Sequence, residues 1–146
     1  MERPRIKYIA IVAVALFQLL LGALWYSPLL LGRAWMSRTG MTAEMLAGMN
    51  PWTLGGLTLT AYLALCWVLV HALAYAKART SLEGALVGFW NWFGFVATSL
   101  AVTNRFQHQP WSLWAIDAGF QCVSFVLAGI ALTRWHKKTW MAQEIE

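Results

Sequence analysis

Apolar residues run through this chain in four long blocks, each bounded by short polar or basic stretches. The blocks cover about 8–25, 52–76, 82–103 and 111–133. A helix rising 1.5 Å per residue needs about 20 residues to cross a bilayer, and each block approaches or exceeds that. Strands of a membrane barrel would be about half as long and would alternate in polarity. The pattern predicts an all-α integral membrane protein: a four-helix transmembrane bundle in one domain, followed by a tail over 134–146. Local signals agree with these boundaries. Thr80-Ser81-Leu82-Glu83 is a capping box for the third helix. Pro51-Trp52 and Pro110-Trp111 suit a first helical turn at the headgroup layer.

The loop from 27 to 50 is the one long connection. Thr42 can cap a short helix on which Met45, Leu46 and Met49 share a face. Two roles stay open for it: an interfacial helix lying on the membrane, or a lid over a cavity. Pro28 lacks an amide hydrogen and clashes with the Leu24 carbonyl, so the first helix must either end there or kink and continue to residue 31, capped by Gly32.

Within the blocks, small and polar residues recur at helical spacing. The first stripe is Ala15, Gln18, Gly22 and Trp25; the second is Thr53, Gly56, Thr60, Ala64, Trp67 and His71. The third is Gly84, Gly88, Asn91, Thr98 and Val102; the fourth is Asp117, Gln121, Ser124 and Ala128. Lipid solvates Leu as well as another helix does, so small residues mark helix contacts. Gly22, Gly56, Gly84 and Gly88 are therefore expected at packing positions. Gln18, Asn91 and Gln121 fall at similar depth and could form one amide layer, either a clamp on helix register or a solute-coordinating layer. Cys66 and Cys122, in mid-span, are expected to pack as small apolar residues.

Composition sharpens this picture. Hydrophobic residues make up 60% of the 146 and charged residues 12%, too few charges to wet the surface of a soluble domain this small. Of the basic residues, Arg3, Arg5, Lys7, Lys77, Arg79, Arg134, Lys137 and Lys138 fall on one side, and Arg33, Arg38 and Arg105 on the other. That excess puts both termini in the cytoplasm, in the cytoplasmic (inner) membrane of a bacterium. It also accounts for the +5 net charge without nucleic acid. The expected surroundings are the lipid bilayer, with a homo-oligomer as one arrangement. No nucleophile elbow, metal motif or cofactor motif is present, so the reading is non-enzymatic, with no cofactor and no metal.

Asp117 is the sharpest single residue. It lies about six residues, or 9 Å, inside the outer edge of its span, where a carboxylate is costly and marks function by default. Tyr26, Trp25 and Thr98 fall near its depth. They would either tie the helices together or, with Ser27, Asn91, Gln18 and Gln121, line an outward polar pocket for a small solute, ion or lipid. His71 is either a packed residue or a proton relay.

The block Gly22-Ala23-Leu24-Trp25-Tyr26-Ser27-Pro28, followed by Gly32 and Trp35, resembles the membrane proteins grouped as domain of unknown function 1761. A later segment, Ile116-Asp117-Ala118-Gly119-Phe120-Gln121, is similar to theirs, with Phe120 where a Tyr is expected. The resemblance implies four spans and no particular activity. It marks Trp25, Tyr26, Ser27, Pro28, Trp35 and Asp117.

Overall fold

The computed structural model describes residues 5–143, apart from the side chains of 138 and 141–143. Arg3 and the Lys138 side chain, both used in the charge count above, lie outside the described residues. The element order is α1 (Tyr8–Trp25), α2 (Gly32–Thr39), α3 (Ala43–Ala47), α4 (Pro51–Tyr75), α5 (Ser81–Asn91), a π-helical segment (Trp92–Ala97), α6 (Thr98–Phe106) and α7 (Trp111–Gln143). Four of these stretches are long and apolar enough to span a membrane: Tyr8–Trp25, Pro51–Tyr75, Ser81–Phe106 and Trp111–Lys137. The described chain is helical throughout, without strands.

Each boundary has a local cause. Asn50 accepts hydrogen bonds from the amides of Trp52 and Thr53, with Pro51 opening α4. The Thr80–Glu83 capping box starts α5 as expected. Lys77, in the left-handed region at φ 53°, turns the chain between them. Helix α1 ends at Trp25, without a kinked continuation to 31. Ser27 Oγ donates to the Leu24 carbonyl at 2.7 Å, meeting the acceptor that Pro28 leaves without a donor. Leu31 N and Gly32 N then bond back to the carbonyls of Trp25 and Ser27. Gly32 does not cap that turn; it opens α2.

The long connection holds two helices where the sequence suggested one. Thr42 caps α3 through the Met45 amide, as expected. Helix α2 is additional. It stops at Gly40, whose φ of 73° suits glycine, and Arg38 ties it to the start of α7 through Ser112 Oγ at 2.6 Å.

Helix α7 is the central element, packed against α1, α4 and α5. It continues unbroken past Thr133, so most of the expected tail is helix. No Gly or Pro stands after Gly129 to stop it, although the charges end the apolar run. Its 33 residues reach about 50 Å at 1.5 Å per residue, more than a hydrocarbon core of about 30 Å. The extra turns are packed. His136 is fully buried, its Nε2 accepting from the Lys7 amide and its Nδ1 meeting the Leu132 carbonyl. Trp140 is 3% exposed, and its indole donates to the Arg5 carbonyl.

The closest crossing is α5 on α7. A Cβ on Gly84 would stand 2.5 Å from the Gly129 carbonyl, and one on Gly88 would collide with the Phe125 carbonyl. Gly129 completes this contact from the other side. Gly22 also packs closely, facing Phe120 and Tyr62. Gly56 does not: nothing lies within 4 Å of its Cβ position. Most of the stripe expected on α4 is turned away from the core, with Thr53, Gly56, Thr60, Ala64 and Trp67 exposed and His71 half-buried. The face of α4 that is buried carries Tyr62, Cys66, Leu69, Val70 and Leu73. Bulky apolar side chains fill the space between these helices, and small residues on a lipid-facing surface cost little.

The π segment explains a second departure. Its wider turn inserts a residue and shifts every later position around the helix axis. The inward face steps from Gly88 to Trp92 and on to Ala97 and Asn104, whereas Thr98 and Val102 are exposed. Trp92 Nε1 donates to the Ala118 carbonyl, and Trp114 Nε1 reaches the Ala97 carbonyl inside the π segment. These indoles brace α7 against the distorted helix, a role that their place in the sequence does not reveal.

Candidate functional site

The expected mid-depth amide layer does not form. Gln18 is fully buried. Its Nε2 donates to Ser124 Oγ at 2.7 Å, and its Oε1 accepts from Cys66 Sγ at 3.1 Å. This cluster joins α1, α4 and α7. Asn91 instead donates to the Val87 carbonyl of its own helix and lines a separate side cavity of about 410 Å³ with Ala64, Leu65, Val68, Phe95 and Phe125. Among the described residues no hydrogen bond joins Gln121 to either amide. Gln18 is thus a structural clamp. Replacing it with leucine leaves Ser124 and Cys66 without their partner and is expected to cost about 1–2 kcal/mol. Detergent-denaturation curves followed by circular dichroism check this; an unchanged midpoint would contradict it.

The geometry at the α2–α3 end of the bundle is different. Tyr26, in the turn after α1, donates its hydroxyl to Asp117 Oδ1 at 2.9 Å. Burial and the adjacent Asp117 carboxylate push that hydroxyl well above the ordinary tyrosine range, so it stays a donor. Trp25 Nε1 donates to the Ile116 carbonyl at 3.3 Å, fixing α1 one residue before Asp117. Phe120 lies under both rings, 5.4 Å from Tyr26 and 6.0 Å from Trp25. Trp35 of α2 meets Tyr26 edge-on at 5.8 Å.

Above Asp117 is a cavity of about 630 Å³ lined by Tyr26, Pro28, Trp35, Met36, Ala43, Leu46 and Asp117. Its walls come from the α1–α2 turn, α2, α3 and α7. Helices α2 and α3 thus border this space, and every residue of α3 stays exposed. Of the expected pocket residues, Tyr26 and Asp117 line this space and Trp25 supports it. Ser27 serves the α1 terminus, and Thr98 is exposed, bonded to the Gly94 carbonyl of its own helix. Gln18, Asn91 and Gln121 are not among its lining residues. His71 meets the carbonyl and ring of Trp67 on its own helix.

Pro28 and Trp35, marked only by the family resemblance, and Met36, Ala43 and Leu46 are the wall residues outside the expected pocket set. Leu46 was legible as part of an apolar face, but that face gives no hint of what it borders. Among the described residues, no three of His, Cys, Asp and Glu gather as metal ligands.

Trp25, Tyr26, Pro28, Trp35 and Asp117, which the family resemblance singled out, thus meet at one end of the fold. A family model matches residues 9–133, all four apolar helices included. The chain belongs to the family described as protein of unknown function (DUF1761). No curated protein and no solved structure matches it.

Proposed function

We propose that this DUF1761 protein is a non-enzymatic membrane protein whose cavity over Asp117 holds a small solute. The observation that carries the reading is the placement of one carboxylate, held by Tyr26, in an open hollow of about 630 Å³ with largely apolar walls. Small-molecule sites have this character: an apolar hollow of several hundred Å³ with a few placed polar groups. A carboxylate kept within a span is costly and is rarely retained for packing alone.

The basic-residue count supports a topology with both termini cytoplasmic, which opens the cavity toward the outer face of a bacterial cytoplasmic membrane. Four short helices seldom enclose a complete route, so movement of the solute would call for a homo-oligomer. The exposed Gly56, Thr60 and Ala64 face of α4 suits close helix contact with a second copy.

A purely structural role is favoured for the other interior polar groups, because Gln18, Ser124 and the Trp92 and Trp114 indoles are spent on helix-to-helix ties. It accounts less well for Asp117, which faces open space. A melting-shift screen of small solutes on the purified protein separates the two readings. At least one solute should raise the melting temperature of the wild type and lose that effect when Leu46→Trp or Ala43→Trp fills the cavity. If no class of solute gives a cavity-dependent shift, the structural reading stands instead.

A further inference from the structure

The charge and chemistry of the cavity wall select among solutes. Asp117 is the one formally charged side chain of the lining. Tyr26 is a neutral donor; it orients a carboxylate without cancelling its charge. The nearby Arg38 is committed elsewhere, its guanidinium donating to Ser112 Oγ and to the Ala34 carbonyl. Among the described residues, no lysine, arginine or histidine lines the space over Asp117. A carboxylate in apolar surroundings is costly until a positive charge pairs with it.

The remaining walls say what that positive charge is carried on. A bare divalent metal ion needs six or more oxygen ligands when it is calcium, or an octahedral shell when it is magnesium. Here one carboxylate and one phenol face Pro28, Met36, Ala43 and Leu46. Those side chains would strip a hydrated metal without replacing its water, yet they suit a hydrocarbon body. Tyr26 and Trp35 also bring two aromatic rings to the space beside the carboxylate, an arrangement that attracts ammonium groups to ring faces. An anion would meet like charge at Asp117. A neutral solute would leave the carboxylate unpaired.

We propose that the cavity takes a small organic cation, a protonated amine on an aryl or alkyl body, with its ammonium group against Asp117 beside the Tyr26–Trp35 pair and its body along the apolar side chains of α2 and α3. This rests on the reading of the cavity as a solute site and names the class of solute.

Three probes of similar body and different charge test it: 4-phenylbutylammonium, 4-phenylbutanol and 4-phenylbutyrate. Their affinities are measured by calorimetry on the full chain in a non-ionic detergent, with Leu46→Trp as the reference for uptake by the micelle. The ammonium is expected to bind the wild type about tenfold or more tighter than the alcohol, the scale of one charge-assisted contact, with the carboxylate weakest. In Asp117→Asn the preference for the ammonium over the alcohol should vanish. The three-way comparison is made on the wild type, so it stands even where that variant does not fold. Equal affinity for ammonium and alcohol overturns the inference and leaves the solute-site reading intact. Absence of cavity-dependent binding by all three overturns the inference as well, and the broader solute screen then decides the site reading separately.

Discussion

Gly88→Leu is expected to unfold the bundle or to destabilise it by about 3 kcal/mol or more, the upper range for overpacking. A Cβ at this position already collides with the Phe125 carbonyl, and the next contacts are the backbone of Phe125 and Val126. Backbone cannot rotate aside as a side chain can. α5 would have to lift from α7, opening the crossing at Gly84 and Gly129 that lets the two backbones touch. Interiors transmit such strain because they are close-packed. The matched control is Gly55→Leu. That Cβ has nothing within 4 Å, so the change should stay within about 0.5 kcal/mol. Denaturation midpoints of the two variants in the same detergent check the pair. Equal losses would contradict the assignment of the close contact to α5.

Gly32→Ala is expected to have the second largest effect, and to act on the cavity more than on the bundle. The added methyl would meet the Tyr26 carbonyl and stand 2.7 Å from the Ser27 carbonyl. The turn that closes on itself through Leu31 N and Gly32 N would have to open. Tyr26 would then lose its place over Asp117, and α2 its angle to α7. Solute binding should fall at least about tenfold, a loss of one good polar contact, while the helix content by circular dichroism stays near that of the wild type. A variant that binds as before would show that the turn does not position the site.

The outcome along the chain follows from which forces act locally. The four spans were legible because length and continuous hydrophobicity decide them without reference to partners. The ends of α4 and α5 were legible through Asn50-Pro51 and the Thr80–Glu83 box, which act within a few residues. The face that α4 buries was not legible. Small residues mark close contacts only where a partner comes near, and here the partner meets Tyr62, Cys66 and Leu69 instead. The π segment also escaped notice, because nothing in Trp92-Phe93-Gly94-Phe95 announces a widened turn. Its consequence was concrete: Thr98 moved out of the interior and Ala97 moved in.

For the site, the carboxylate and its tyrosine were legible. Asp117 stands out in an apolar helix, and Tyr26 falls at its depth. The α2 wall was less so, since α2 is tied in place by the Arg38–Ser112 contact between residues 74 apart in sequence. Polar residues at one depth were not enough to predict a layer. Gln18 found Ser124 and Cys66 closer than any second amide.

The central claim is that the space over Asp117 is a solute site. Its most direct measurement is the melting shift produced by a binding solute in the wild type and in Leu46→Trp, at equal solute concentration. The account predicts a concentration-dependent rise for the wild type and none for Leu46→Trp, with both proteins equally helical beforehand. A rise of the same size in both would contradict it.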